Sequence, residues 1–487
     1  MKRLNKILFV LIFLAGSSCN DILEKEPESN LSPSQFYKNA DDAKAAVSAV
    51  YDIMLSEAMY SQAMWIVLDQ STDDAEWGGG RSTANPPKND LDKYTFTPQT
   101  VTFYSIWTAC YQGINRANAA IGRIPGITME EGLKARLVGE AKFMRGFYYF
   151  TLVRLFGGVP LVLKETTSLN NLEIARSSEE EVYVQIIQDF SDAEAILPLK
   201  GLDENGKPVS VDGRATKGSA TAFLAKVYLT KEDWPNAALK AKEVIDSNIY
   251  GLWENYSDVF LIANENGKES IFDIQAISGG AGEGSYMQGY QRPNFDRVNG
   301  TTGFGDNPPT KNLYDTYTER NDTLRRNATL RLFTENTTPA KPASVTFGCY
   351  VYKYTDPTAT GNKDGGNNYP LMRYADVLLM YAEALNEQGA GNGEAYNAIN
   401  EVRNRAGLAD LATGLTQDQF RDSVLLERRL ELAFEGHRRY DLIRTKRLIS
   451  AIKEQNPDIN VQEHHYLLPI PQRERDVNPK LEQNPVY

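Results

Sequence analysis

Cysteine and histidine are the two residue types that this sequence has least of. The 487-residue chain contains only three of each, so a metal centre built from many histidines or from paired cysteines is not expected. Two of the cysteines, Cys110 and Cys349, lie far from the N-terminus. They can pair in an oxidising compartment or stay buried as free thiols. The sequence leaves both arrangements open.

Positive charge is also in short supply. Lysine and arginine number 52 against 64 aspartate and glutamate residues, which gives a net charge of −12. Binding to the phosphates of a nucleic acid needs a clustered positive face, so we expect no nucleic-acid partner. After the N-terminal segment, no apolar run approaches the length of a membrane-spanning helix.

Familiar catalytic and nucleotide-binding motifs are missing. The sequence has no nucleophile elbow, zinc-protease motif or dinucleotide fingerprint, and the glycine-rich stretch Gly279–Gly284 lacks the Lys-Ser/Thr of a phosphate loop. The acidic loops at Asp73-Asp74 and Asp203–Gly206 offer oxygen ligands that suit calcium, although neither completes the twelve-residue pattern. We therefore predict no catalytic residue and no cofactor, and leave a structural calcium ion open.

The N-terminus has the pattern of a bacterial lipoprotein signal. Basic residues precede the apolar stretch Ile7–Ala15, and small residues fill positions 16–18. Cys19 follows directly, where a lipoprotein carries its acylated cysteine. The sequence predicts that residues 1–18 are a signal peptide, that Cys19 is lipidated, and that residues 19–30 form a polar tether. The alternative is an ordinary secretory signal followed by an incidental cysteine.

Helix patterns dominate the rest of the chain. Capping boxes at Ser178 and Thr416 mark two helix starts, and Ser32-Pro33 marks another. Apolar residues recur at helical spacing after each of them. The longer predicted helices cover residues 104–123, 129–156, 178–197, 371–388, 393–406 and 416–435.

One helical pair has the spacing of a tetratricopeptide repeat. Ala225, Tyr228, Ala237 and Ala241 place small residues where two antiparallel helices approach closely. A looser copy consists of Ala382, Leu385, Ala395 and Ile399.

These patterns predict an all-α, mainly helical fold: a tetratricopeptide-like superhelix of helical hairpins with a long loop-rich insert. The predicted regions are an N-terminal helical part at 31–260 and a C-terminal part at 261–487. The second divides into a loop-rich stretch at 261–370 and a helical stretch at 371–487.

The stretch Leu425–Arg444 (LLERRLELAFEGHRRYDLIR) is crowded with charge. Glu431 and Glu435 are close enough to suggest the carboxyl pair of a glycosidase, but they project side by side from one predicted helix. Neighbouring arginines would keep both ionised, which suits ion pairing, with Glu435 facing Arg439. We predict a structural helix broken at Gly436, with His437 at the helix end, where positive charge is favoured.

Aromatic side chains in the loops are the candidate binding residues. Sugar rings stack their C–H faces on flat side chains, while Asp, Asn and Arg bind the hydroxyl groups. The alternative is that the rings only pin long loops to the body. The predicted glycan-binding residues are Asp73, Trp77, Arg81, Tyr286, Tyr290, Arg292 and Phe304.

In combination, several segments resemble the SusD/RagB family of outer-membrane lipoproteins of Bacteroidetes, and the resemblance covers essentially the whole chain. The segments are Ser17-Ser18-Cys19, YPLMRYADV from Tyr369, YAEALN from Tyr381, NEVRNRAGL from Asn400, ERRLELAFEGHRRYDL from Glu427, LPIP from Leu468 and the C-terminal QNPVY.

The resemblance implies a non-catalytic protein, lipid-anchored through Cys19 and facing the cell surface. It implies capture of an oligosaccharide and its delivery to a SusC-like TonB-dependent transporter, with the helical face docked to that transporter. Two alternatives stay open: a RagB-like protein that handles peptides, and a secreted glycoside hydrolase. The family's binding loops vary in sequence, so the candidate residues above rest on their chemistry and loop position alone.

Overall fold

The computed structural model describes residues 36–77, 86–168, 170, 172–201, 213–280, 282–293, 297–298, 301–333, 347–389 and 393–487. The signal peptide, Cys19, the tether, Arg81 and the loop at 203–206 lie outside the described residues. Among the described residues, no helix is long and apolar enough to cross a membrane.

The N-terminal half consists of helices. They are α1 (Ala40–Asp52), α2 (Ala63–Leu68), α3 (Pro86–Lys93), α4 (Val101–Arg123), α5 (Glu131–Phe156), α6 (Glu179–Ile196), α7 (Lys217–Thr230) and α8 (Trp234–Asp246).

The predicted helix start at Ser32-Pro33 lies outside the described residues, and the first described helix begins at Ala40. Tyr37 has a φ of 65°, in the left-handed region that a right-handed helix does not use. Asn39 then accepts hydrogen bonds from the backbone of Asp41 and Asp42 and starts α1. The predicted capping boxes at Ser178 and Thr416 are both present. Local capping chemistry therefore located the starts of the helices that follow Ser178 and Thr416.

Helices that follow each other in sequence pack side by side from α4 to α8. Ala225, Ala237 and Ala241 of the predicted repeat are fully buried between α7 and α8. Small side chains at these positions let the two helices approach closely. The mainly helical architecture is the one predicted.

The C-terminal half combines helices with short strands. The helices are α9 (Met287–Gln291), α10 (Lys311–Glu319), α11 (Thr323–Thr329), α12 (Tyr374–Glu387), α13 (Gly393–Arg405), α14 (Gln417–Glu431), α15 (Arg438–Arg444), α16 (Leu448–Gln455) and α17 (Gln472–Val477). The strands are β1 (Ser270–Ile274), β2 (Arg297–Val298), β3 (Thr301–Thr302), β4 (Leu330–Leu332), β5 (Cys349–Val351) and β6 (Tyr369–Arg373).

The predicted loop-rich insert therefore contains more regular structure than its glycine and proline content indicated. Its two ends are joined, because β1 and β6 pair antiparallel, with Ser270 opposite Arg373 and Ile274 opposite Tyr369. Helix α12 follows β6 directly and packs against α8. The helical stack thus continues across the insert, which loops out from it.

The stretch Leu425–Arg444 is broken earlier than predicted. Helix α14 ends at Glu431, and Phe434 and Gly436 both have positive φ, 63° and 73°. His437 precedes α15 and is buried, and this burial lowers its pKa to about 3, so it carries no positive charge at neutral pH. The prediction of a charged His437 at the helix end is therefore wrong.

Candidate functional site

Glu431 and Glu435, the carboxyl pair considered for glycosidase chemistry, are held in buried ion pairs. Arg373 binds both, with Nη1 2.5 Å from Glu431 Oε1 and Nε 2.6 Å from Glu435 Oε2. Burial favours the neutral acid, but the surrounding cations outweigh it and lower the pKa of Glu431 to about 2 and the pKa of Glu435 as well. Carboxylates held ionised in this way do not act as a general acid. The structural interpretation of this pair is supported.

Two loops far apart in sequence form the framework of the candidate site. The loop after α2 lies against the loop before α10: Thr310 N donates to Asp74 O at 2.9 Å, and Glu76 N donates to Pro308 O at 3.0 Å. An isolated β-bridge forms between them. These backbone hydrogen bonds fix Trp77, the last described residue before position 86, relative to the second loop.

Helix α9 and the residue before it bring two more candidate rings, Tyr290 and Tyr286, to the same place. Phe304 N donates to Gly289 O at 2.6 Å, and Asp306 N donates to Tyr290 O at 2.7 Å, so α9 is tied to the second loop. A Cβ atom on Gly289 would lie 1.8 Å from the backbone oxygen of Asn362. Only glycine allows this approach.

Four of the predicted residues meet in an aromatic cluster, which consists of Trp65, Trp77, Tyr286, Tyr290 and Phe304. Tyr290 is its centre: its ring centroid lies 5.3 Å from that of Trp65, 5.2 Å from that of Phe304 and 6.3 Å from that of Tyr286. Trp77 joins through Lys88, whose Nζ lies 5.0 Å from the Trp77 ring and 5.3 Å from the Tyr290 ring.

Two lysines that the sequence analysis did not single out complete the cluster. Lys88 is buried, and its Nζ lies 2.5 Å from Asp306 Oδ2. Lys363 is exposed, with Nζ 4.6 Å from the Tyr286 ring and 2.7 Å from Glu57 Oε1, and this hydrogen bond raises the pKa of Lys363. Each cation therefore contacts both a ring face and a carboxylate. No local sequence signal points to either lysine, because the carboxylates that they pair with lie more than 200 residues away.

The members of the cluster differ in accessibility. Trp77 and Tyr290 are 5% and 7% exposed. Tyr286 and Phe304 are half-buried, and Lys363 is exposed beside Tyr286. The half-buried rings are therefore the part of the cluster that solvent reaches, and the glycan contacts predicted for them stay a prediction. The buried rings support them from beneath.

Asp73 and Arg292 are placed differently from these rings. The carboxylate of Asp73 is buried and accepts hydrogen bonds from Arg438 Nε and Nη2 at 2.8 and 2.6 Å, and Arg429 lies 3.1 Å away. Burial opposes its ionisation, but these arginines lower the pKa of Asp73. The side chain of Arg292 is only 1% exposed. A role for these two residues, and for Arg81, in ligand binding stays a prediction.

The two remaining cysteines are both free and buried, which decides between the alternatives that the sequence left open. Burial raises the pKa of Cys349 to about 12, so it is a neutral thiol. Across the described ranges, no three His, Cys, Asp or Glu side chains converge as metal ligands. Asp74, from the acidic loop considered for calcium, instead pairs with Arg429 at 2.7 Å.

Comparison with known proteins identifies the family. Residues 329–487 match the model of the SusD family, and residues 21–229 match a model described as starch-binding associating with outer membrane. One SusD-like protein of Formosa agariphila is 30% identical over 529 residues, covering 99% of this chain and 98% of the relative. Another from the same organism is 29% identical over 520 residues, covering 99% of both chains. The chain belongs to the SusD family.

Solved structures share the fold. A laminarin-binding SusD-like protein has a TM-score of 0.80 at 29% identity, covering 93% of this chain and 100% of that one. A SusD homologue from Bacteroides thetaiotaomicron has a TM-score of 0.81 at 27% identity, covering 95% and 100%. Surface glycan-binding protein A of the same organism, solved in complex with laminarihexaose, has a TM-score of 0.76 at 25% identity, covering 91% and 99%. The mainly helical fold is that of SusD-like proteins.

Proposed function

We propose that this chain is a cell-surface glycan-binding lipoprotein that captures oligosaccharides and passes them to a SusC-like TonB-dependent transporter. The observation that carries the proposal is the pair of half-buried rings, Tyr286 and Phe304, held by the buried Tyr290. Their positions are fixed by backbone hydrogen bonds before any ligand arrives, so little ordering is needed on binding.

The ligands of two relatives support a glycan as the ligand here. The solved neighbours include a laminarin-binding protein and a complex with laminarihexaose. Laminarin is therefore the first polysaccharide to test, with starch as the second because of the family model matched by residues 21–229.

The proposed role is binding without catalysis. Glu431 and Glu435, the carboxyl pair that suggested hydrolysis, are occupied by Arg373 and its neighbours. Anchoring to the outer membrane would come through lipid at Cys19. The protein would then hold its ligand beside the transporter, whose contact surface we expect on the helical stack.

The test is affinity electrophoresis in gels that contain laminarin or starch. We expect the wild-type protein to be retarded by one of them, and the double variant Tyr286→Ala/Phe304→Ala to migrate as in a gel without polysaccharide. Tyr104→Ala is the matched control, because Tyr104 is also half-buried but contacts Arg473 elsewhere.

Three outcomes would contradict parts of the proposal. Release of reducing ends from the polysaccharide would show hydrolysis. Co-purifying oligopeptides, with no hit on a glycan array, would favour the peptide-binding alternative. Failure of the lipidated protein to retain a TonB-dependent transporter from an outer-membrane extract would reject the transfer step.

A further inference from the structure

A second concave site lies outside the aromatic cluster, between helices α10, α14, α15 and α16. It is a groove of about 370 Å³, a volume within the range of small-molecule pockets. Asp73, from the loop after α2, is part of its lining. Asp73 is the one predicted glycan-binding residue in this lining, and the proposed function, which rests on the aromatic cluster, does not use the groove.

Two arginines in the lining are held in fixed positions by neighbouring side chains. Arg429 donates from Nε to Asp74 Oδ1 at 2.7 Å and from Nη2 to Asn312 Oδ1 at 2.8 Å. Arg438 donates from Nε and Nη2 to the two oxygens of Asp73. The hydrogen bonds of both arginines to the described residues use Nε and Nη2, which leaves Nη1 of each for a ligand. Two guanidinium groups, each already paired with an aspartate, are thus pre-positioned as hydrogen-bond donors in one groove.

The walls beside these arginines are partly aliphatic. Leu425 and Leu442 are buried, and Leu426 and Ala451 are half-buried. Aliphatic walls without an aromatic ring suit a hydrocarbon chain better than a sugar face. The ligand for this groove is therefore of a different kind from the glycan of the aromatic cluster.

The charges at the groove restrict the ligand further. Asp422 and Asp441 line it but have cationic partners: Asp422 pairs with Arg447 at 2.5 Å, and Asp441 pairs with Arg428 at 2.9 Å. Two acids, Glu319 and Glu454, and one arginine, Arg320, are exposed in the lining. These two acids repel a chain of many negative charges, so a single anionic group fits best.

We propose that this groove binds the carboxylate of a small ligand with an aliphatic side, and that the Nη1 groups of Arg429 and Arg438 donate to it. Because Asp73, Asp74 and Asn312 already hold both guanidinium groups, binding immobilises little of the protein. The same chemistry is offered by the C-terminus of a short peptide and by a short-chain fatty acid.

The first experiment titrates the full chain by NMR with N-acetyl-L-leucine and with N-acetyl-L-leucinamide, which lacks the carboxylate. We expect the acid to bind at least tenfold more tightly than the amide. Valerate separates the sources: equal binding of valerate assigns the site to simple acids, and weaker binding assigns it to peptide ends. Equal affinity for acid and amide, tighter binding of glucuronate than of N-acetyl-L-leucine, or no binding at millimolar concentration would overturn the proposal.

The second experiment blocks the groove without touching the arginines. Ser450 lines the groove and is exposed on α16, so Ser450→Trp should fill it while the fold is kept. Lys453→Trp is the matched control, because Lys453 is exposed on the same helix outside the lining. We expect at least a tenfold loss of N-acetyl-L-leucine affinity in the first variant only. Unchanged affinity in Ser450→Trp would reject the groove as the site.

Laminarin retention separates this inference from the proposed function. Both tryptophan variants should be retarded in laminarin gels to the same degree as the wild type, because the aromatic cluster is unchanged. Loss of carboxylate binding together with loss of laminarin retention in Ser450→Trp would show a global effect and would count against a separate site.

Discussion

Arg373 and Glu435 are joined by two charge-assisted hydrogen bonds, Nε to Oε2 at 2.6 Å and Nη2 to Oε1 at 3.0 Å. The two side chains are 1% and 0% exposed. Arg373 also binds Glu431 and Glu269, so one guanidinium links β6 to α14 and to the residue before β1. A buried ion pair of this kind affects stability chiefly when one partner is removed, because the other charge is then left unpaired in the interior.

The first prediction concerns Glu431, which accepts from Arg325, Arg373 and Arg405. Removing its carboxylate in Glu431→Ala leaves three buried cations short of a partner. We expect the free energy of unfolding in urea to fall by about 3–5 kcal/mol. Laminarin affinity of the folded protein should stay within twofold of wild type, because Glu431 lies outside the aromatic cluster.

The matched control for that variant is Glu180→Ala. Glu180 pairs with Lys231 at the surface, where its side chain is 71% exposed. Loss of a surface pair should change the free energy of unfolding by less than about 1 kcal/mol. If both variants lost the same stability, the buried pairs around Glu431 would not have the special role that we assign to them.

The second prediction is a pH dependence that follows from the same carboxyl group. The pKa of Glu431 is about 2 in the folded protein, against an ordinary value of 4.5 in an unfolded chain. The unfolded chain therefore takes up the proton first as the pH falls, so the contribution of Glu431 is complete above pH 4.5 and is lost towards pH 2.

Glu431→Gln isolates this contribution from those of other groups. The difference in free energy of unfolding between wild type and this variant should be largest above pH 4.5 and should shrink by up to about 3 kcal/mol as the pH falls towards 2. Urea denaturation at a series of pH values measures it. A difference that stayed constant over this range would show that Glu431 is not held ionised.

The helices were predictable from sequence where local chemistry decides them. The capping boxes at Ser178 and Thr416 involve residues three apart, so their sequence signal is complete within one turn. The end of α14 at Glu431 was not predictable in this way. The following turn is fixed by distant groups, such as Tyr354, whose hydroxyl donates to Phe434 O at 2.9 Å.

The partners of the buried ion pairs were also not predictable from local sequence. The sequence indicated that the charges of Leu425–Arg444 neutralise each other, with Glu435 facing Arg439. In the structure Arg439 instead donates to Ser71 Oγ and to His465 O, and Glu435 binds Arg373 and Lys353. The structural role was predicted, but the partners come from segments that only the tertiary fold brings near.

The candidate site was only partly predictable, because its contacts depend on residues far apart in the sequence. Aromatic composition of the loops singled out Trp77, Tyr286, Tyr290 and Phe304, and the structure brings these four together. Their shared contacts depend on Lys88 and other residues with no distinguishing local pattern. Composition indicates which loops carry rings, whereas the packing decides which ring is exposed.

The third prediction concerns the anchor. In Cys19→Ala the acceptor of the lipid is gone, and the chain should move from the membrane fraction to the soluble fraction of cells. Stable attachment needs acyl chains, since each buried methylene group contributes about 0.8 kcal/mol to membrane binding. Immunoblots of the two fractions, with detergent partitioning, measure the change.

Cys349→Ala serves as the control for that experiment, because it also removes one thiol but leaves Cys19 in place. It should remain in the membrane fraction. Membrane association of Cys19→Ala equal to that of the wild type would mean that the chain is held at the membrane by another route.

The fourth prediction separates the exposed rings of the aromatic cluster from the buried ones. Tyr286 is half-buried, whereas Trp77 is 5% exposed and lies against Lys88. Tyr286→Ala should weaken laminarin binding about tenfold, equivalent to about 1.4 kcal/mol, with little change in the melting temperature. Trp77→Ala should lower the free energy of unfolding by about 3–5 kcal/mol, because it leaves a large cavity. Calorimetric titration measures the laminarin affinity of both variants, and urea denaturation measures their free energy of unfolding. A Trp77→Ala protein that keeps its stability but loses affinity would contradict this prediction and would place the indole in direct contact with the sugar.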